Sequence, residues 1–141
     1  MFPGDFEMGF FDELFGKKPA VTAYMYLLEC AFHPFKLSAR QHDAVDLEIR
    51  LKNTSGEVLL TSVVVVVPKE LGFEKIGLQQ EHESRLGPLK PGEERFLKIP
   101  IWSNQKTVPR SYTVKVFAIA HYHDYAHVLN EVKRTMELRA T

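Results

Sequence analysis

Little in this sequence points to chemistry, and each thing it lacks narrows the field. A single cysteine, Cys30, stands among 141 residues, so no intrachain disulfide can form; a reducing compartment suits such a chain, although extracellular proteins without disulfides share the composition. Net charge is absent, because 18 Lys and Arg balance 18 Asp and Glu. No overall field therefore draws the protein to nucleic acid, an anionic bilayer or a strongly acidic substrate. Long apolar runs are missing too. The longest, Leu59 to Pro68, contains Thr61 and Ser62 and falls far short of the ~20 residues that cross a bilayer as a helix. Asp5, Glu7, Asp12 and Glu13 interrupt the N-terminus, which has neither the basic start nor the apolar stretch of a secretory signal. The expected location is the cytoplasm. No nucleophile elbow, phosphate-binding loop, dinucleotide fingerprint or His–Glu–x–x–His motif occurs, and the chain reads as a non-enzyme without a cofactor.

What is present is a pattern of strands. Val45, Leu47, Ile49 and Leu51 alternate with Asp46, Glu48, Arg50 and Lys52, so that one face of a pleated strand is apolar and the other charged. Asn53-Thr-Ser-Gly56 then supplies the side-chain acceptors and the permissive glycine of a reversal. Further strands are expected at 22–32, 43–53, 57–67, 95–102, 111–123 and 128–139, with Phe35–Ser38 continuing the first after a bend at His33-Pro34. Pro100 marks its strand as an edge or a bulge. The stretch 69–92 reads as a long connection with one short strand around Ile76–Gln80. About seven short strands separated by turns indicate an all-β, antiparallel sandwich of immunoglobulin-like type.

Residues 1–18 differ from the rest. Phe6, Phe10 and Leu14, with Phe11 and Phe15 beside them, recur at helical spacing; Asp5 stands at an N-cap position, and Gly16, Lys17, Lys18 and Pro19 form a stop signal. The spacing predicts a short amphipathic helix over 5–15, and hence a helical appendage at 1–18 followed by a sandwich at 19–141. So short a helix is marginal in water and needs something to pack against. Asp5, Glu7, Asp12 and Glu13 against Lys17 and Lys18, four charges minus two, leave −2 over this segment. Attachment to an anionic membrane surface is therefore open but not preferred. Docking on the chain's own sandwich is preferred, and insertion into a groove of another protein through Phe10, Leu14 and Phe15 is the functional alternative.

The succession Leu51-Lys-Asn53-Thr-Ser-Gly56, a valine-rich strand ending at Pro68, Leu86-Gly-Pro-Leu-Lys-Pro91-Gly92-Glu93 and Val108-Pro-Arg-Ser-Tyr112 resembles immunoglobulin-like domains related to the bacterial cell-adhesion-related domain and the NPCBM-associated repeat. The resemblance covers about residues 40–140. It implies turns at the Asn–Thr–Gly and Pro–Gly–Glu elements and entry into the penultimate strand at the Ser–Tyr element. It carries no catalytic residues, because such domains serve as spacers, adhesion modules and enzyme appendages alike.

Three sets of residues are candidates for function. If the penultimate strand runs through 123 with Tyr112, Val114, Val116, Ala118 and Ala120 facing the core, Phe117, Ile119, His121 and His123 face outward. An apolar pair is unexpected on the solvent side of a sandwich. Cover by the N-terminal helix, by a second subunit in a homodimer or by an external protein partner would account for it. Phe6, Phe10, Phe11, Leu14, Phe15, Phe117 and Ile119 are thus the candidate partner-binding residues. In the second set, His121 and His123 share a face at i, i+2 with His127 and Asp124 close behind, a spacing competent for zinc, copper or iron; the plainer reading is an exposed hairpin end. The third is Cys30-Ala-Phe-His33, which resembles the Cys–x–x–His element of superoxide reductases. Those enzymes place their histidine ligands before the cysteine, and residues three apart on a strand point to opposite faces. A buried structural cysteine is preferred. Glu81-His-Glu83, in an expected polar loop, reads as solvated charge.

Overall fold

Alternation and turn chemistry build two sheets around one core. The computed structural model describes residues 25–75 and 79–141, so the helix expected over 5–15 and its residues Phe6, Phe10, Phe11, Leu14 and Phe15 lie outside the described residues. Nine strands follow in order: β1 (Tyr26–His33), β2 (Lys36–Leu37), β3 (Ala44–Asn53), β4 (Leu59–Val66), β5 (Leu71–Gly72), β6 (Glu81–Leu89), β7 (Glu94–Ser103), β8 (Arg110–His121) and β9 (Val128–Ala140). A four-stranded sheet runs β1-β3-β7-β5 and a five-stranded sheet β2-β9-β8-β4-β6. Among the described residues no helix is long and apolar enough to cross a membrane.

The alternation of β3 is borne out. Val45, Leu47, Ile49 and Leu51 are buried while Glu48 is exposed, and Arg50 lies outside in a chain of ion pairs, 2.9 Å from Glu29 and 3.2 Å from Glu94. β8 obeys the same rule, with Tyr112, Val114, Val116, Ala118 and Ala120 all buried. Valines 63 and 65 of β4 and Leu138 of β9 complete the facing layer. Pro100 sits on β7, which has β3 along one side and only the two-residue β5 on the other. Its missing N–H is tolerated there, as on an edge.

Two expectations are corrected. The stretch 69–92 is not mainly a connection: β6 occupies nine residues of it and pairs with β4. Glu81, Glu83 and Arg85 point outward on an edge strand, where charge guards unpaired backbone, and that polarity gave it the look of a loop. Nor does Phe35–Ser38 prolong the first strand. After His33-Pro34 the chain changes sheets, and β2 pairs in parallel with the end of β9 through Lys36↔Arg139 and Leu37↔Ala140, burying Leu37 completely. These two-residue pieces, β2 and β5, raise the count from about seven strands to nine.

The two turn motifs noted in the sequence form one structure. Asn53 has no exposed surface. Its Nδ2 donates to the carbonyls of Glu57 (2.8 Å) and Leu89 (2.9 Å), and its Oδ1 accepts from the backbone N–H (2.9 Å) and hydroxyl (2.7 Å) of Ser55. Its backbone N–H donates to Glu93 and its carbonyl accepts from Gly92. Gly92 holds φ at +81°, a conformation in which any side chain is strained. Glu93 completes the turn: it accepts from the Lys90 amide and pairs with Arg95, and those contacts hold its carboxyl below the usual range.

At the opposite end of β8, the buried Tyr112 ring directs its hydroxyl back to Val108, donating to the carbonyl (3.0 Å) and accepting from the N–H (2.9 Å). Such a tyrosine corner ties a connecting loop to the sandwich core.

Two outcomes check this account. Leu47→Ala or Ile49→Ala should cost about 2–5 kcal/mol in denaturant unfolding, and Glu48→Ala no more than ~0.5; equal costs would overturn the register. Asn53→Ala removes the Nδ2 donor from the buried Leu89 carbonyl and the second donor from the Glu57 carbonyl, which the Ser55 hydroxyl also reaches, and should cost about 1–3 kcal/mol, with amide exchange accelerated in both the 53–57 and the 89–93 turns. A loss confined to the first turn would show that the motifs are independent.

Candidate functional site

The outer face of the five-stranded sheet is the part of the molecule that departs most from a plain sandwich. On its two central strands Leu60, Val64 and Val66 of β4 stand beside Phe117 and Ile119 of β8, all half-buried. The register makes rows: Val64↔Phe117↔Lys133 and Ser62↔Ile119↔Glu131. The strip is thus flanked on the β6 side by Glu81, Glu83 and Arg85 and on the β9 side by Glu131 and Lys133. Lys133 Nζ lies 5.8 Å from the Phe117 ring centroid, within reach of a cation–π contact. The inward phase of β8 is therefore as expected, and the apolar pair Phe117 and Ile119 does face outward. Part of its cover comes from long charged side chains of the neighbouring strands, whose aliphatic stems shield apolar surface while their heads stay in water.

One end of the strip is closed by the turn after β8. That strand ends at His121 rather than running through 123, and the pairing with β9 slips between Ala120 and His121. His121 is only 6% exposed. Its Nε2 lies 2.7 Å from the Ser62 hydroxyl, its Nδ1 3.2 Å from the His127 carbonyl, and the Tyr125 ring packs edge-on 5.0 Å away. Tyr125 reaches further, accepting from the Gly87 N–H at 2.9 Å, with the Arg85 guanidinium 4.7 Å over its ring. The turn lies back across β8, β4 and β6 and seals Ser62 and His121 beneath it.

This arrangement corrects the premise of a histidine pair. His123 has φ +68° and is exposed beyond the strand, next to Tyr122 and His127. His127 bonds Asp124 at 2.6 Å, the contact that chiefly holds the Asp124 carboxyl below its usual range. His121 and His123 share no face, and both ring nitrogens of His121 are engaged within the protein. Among the described residues no group of three or more His, Cys, Asp or Glu is placed to hold a metal.

The Ser62–His121 contact has the distance of a nucleophile and its base. Ser62 has no exposed surface, so a substrate carbonyl has no approach to its hydroxyl, and the pair satisfies two buried polar groups. Its only sequence signal is a serine within a valine run and a histidine at a strand end. Cys30 points inward and His33 outward from β1, and burial pushes the Cys30 thiol up to about 11, leaving it a poor nucleophile. Glu81 and Glu83 are exposed as expected but lie on β6, while His82 turns inward against Phe73 at 5.5 Å.

On the other sheet Phe96 is 72% exposed. The alternation of Leu97, Ile99 and Ile101 places it outward, so the signal was present and not followed.

No protein-family model matches this chain, and no curated protein matches it. Its fold, however, has a counterpart. A FixG-related protein from Vibrio parahaemolyticus superposes with a TM-score of 0.54 over 83% of this chain and 97% of its own, at 9% identity. At that identity the likeness shows the fold alone. Weaker similarity extends to Bacteroides uniformis β-glucuronidase (TM-score 0.47, 12% identity, 80% of this chain and 13% of that one). A conjugate transposon protein from Bacteroides vulgatus gives 0.39 at 13% identity, covering 82% and 85%.

The buried environment of His121 and the open one of His123 predict unequal effects. His121→Ala strands the Ser62 hydroxyl and should cost about 2–4 kcal/mol, whereas His123→Ala should change stability by less than ~0.5. Zinc should leave the melting temperature of the wild type unchanged. A zinc-dependent rise lost in a His121→Ala/His123→Ala double variant would reinstate the metal reading.

Proposed function

We propose that this chain is a non-enzymatic protein-interaction or assembly module, and that the outer face of its five-stranded sheet receives the Phe-rich segment 1–18, from the same chain or exchanged with a second copy. The observation that carries this reading is the apolar strip on the two central strands with charged rails on both sides. Interfaces have that anatomy, an apolar centre within a polar rim. The occupant follows from the chain itself. Phe6, Phe10, Phe11, Leu14 and Phe15 need an apolar surface, and residues 1–24 precede the described chain, a length that reaches up to ~80 Å when extended. Packed sheets are only ~10 Å apart, so either face is within range.

The resemblance at Asn53–Gly56 and Leu86–Glu93 brings no catalytic residues to this chain. A cytoplasmic setting accords with the lone Cys30. Under this reading the surface needs no nucleic acid, membrane or cofactor.

Phe10→Asp and Phe117→Asp tested singly and together decide the point. The expected outcome is non-additivity of their stability or self-association effects, by about 0.5–3 kcal/mol, because the two residues share a contact. Sedimentation separates docking within a monomer from exchange in a dimer. Strict additivity, together with proteolytic removal of residues 1–18 at the rate of a free tail, would sink the proposal.

A further inference from the structure

The other end of the sandwich carries a cavity that the interaction surface does not use. It measures 670 Å³ and opens between the β2–β3, β5–β6 and β7–β8 connections, within the ~300–1,000 Å³ range typical of small-molecule sites. Arg40, Gln41, His42, Lys75, Ser103, Asn104 and Gln105 line it, and among the described residues no Asp or Glu contributes. Among the described residues neither Arg40 nor Lys75 takes part in an ion pair. The acids nearest in sequence, Asp43 and Glu74, are engaged elsewhere, accepting from the Ser38 amide at 2.9 Å and the Gln79 amide at 2.8 Å.

The walls are braced. Ser103 Oγ donates to the Gln41 carbonyl (2.9 Å) and accepts from the Asp43 N–H (3.0 Å), fixing the β2–β3 connection to the end of β7. The β7–β8 connection is held by Asn104 Oδ1 accepting from Lys106 N–H, by Thr107 Oγ1 accepting from Asn104 N–H, and by bonds from Asn104 and Thr107 to the Lys69 and Glu70 carbonyls. The His42 ring packs at a tilt against Trp102, 5.0 Å between centroids. Its Nε2 meets the Lys75 carbonyl; a carbonyl only accepts, so the ring nitrogen carries the proton.

We infer that this cavity binds a small molecule bearing an oxyanion, a phosphoryl or carboxylate group, through Arg40 and Lys75, with Gln41, Asn104 and Gln105 lining the space for its polar body. An arginine fork and a lysine point charge are the complement of such a group. Net charge near zero and confinement of the positive groups to a concave site favour a small ligand over an extended polyanion.

The full chain, titrated by NMR with inorganic phosphate and separately with citrate up to roughly 10 mM in about 0.15 M NaCl, tests the proposal. Saturable shifts are expected at residues 39–42, 75 and 103–105. Tighter binding of phosphate assigns the ligand as a phosphoryl compound, and tighter binding of citrate as a carboxylate. Arg40→Ala/Lys75→Ala should weaken binding roughly tenfold or more, with thermal melting unchanged. Lys98→Ala, at an exposed position in the middle of β7 and outside the cavity lining, should leave it as it was. Absence of saturable shifts with both anions, or an equal loss in Lys98→Ala, would overturn the assignment. Neither result bears on the segment 1–18, so the two proposals fail separately.

Discussion

The sandwich depends on one buried amide. Asn53 uses both protons and both lone pairs of its side chain, and its partners belong to two turns: Glu57 and Ser55 in the turn that leaves β3, and Leu89 in the turn that enters β7. A buried amide satisfied at every site stabilises modestly, but leaving its partners without donors is costly. That asymmetry gives the residue its leverage. β3 and β7 belong to the four-stranded sheet and β4 and β6 to the five-stranded one, so the turns Asn53 ties together are both links between sheets. The relative placement of the sheets at that end follows from their shared anchor.

A second constraint is the asymmetry between the sheets. The four-stranded sheet presents charge to water, with the Glu29–Arg50–Glu94 chain across its outer face; exposed pairs of this kind add little stability, and they keep that face wet. The five-stranded sheet is apolar on both sides of its two central strands, as fully covered sheets are. It reconciles this with water by three devices: the Lys133 side chain of β9 over Phe117, the Tyr125 turn folded over one end, and the Ser62–His121 pair, which satisfies two polar groups under that turn. The strip that remains half-open is the surface we propose for the N-terminal segment.

The two ends of the molecule therefore have different physical characters. Around Tyr125 the polar groups are used up internally, with His121, Ser62 and Gly87 each given a partner. Around Ser103 the backbone and the hydroxyl are satisfied while, among the described residues, Arg40 and Lys75 take part in no ion pair. A loop cluster that braces its own main chain and leaves charged heads free is the arrangement the proposed oxyanion site calls for.

Much of the fold was legible because strand periodicity is a local property. The inward residues of β3 and β8, Tyr112 among them, and the turn at Asn53–Gly56 follow from side chains alternating across a pleat and from turn chemistry within a few residues. β6 was missed because an edge strand facing water has the composition of a loop, and β2 because its two residues gain meaning only beside Ala140, over a hundred positions away. The outward phase of Phe117 and Ile119 could be read from β8 alone. That Val64 and Lys133 stand beside Phe117 could not, since register between distant strands is set by the core as a whole. His121 shows the division most clearly. Its sequence neighbours make it one of a histidine pair at an exposed hairpin, but a slip of the β8–β9 pairing at Ala120 places it beneath Tyr125 and against a serine 59 positions away. Periodicity thus determined which side of each strand faces the core; only the packing of the sheets decided which distant polar groups meet, because a hydrogen bond is specified by position in space and leaves no periodic trace along the chain.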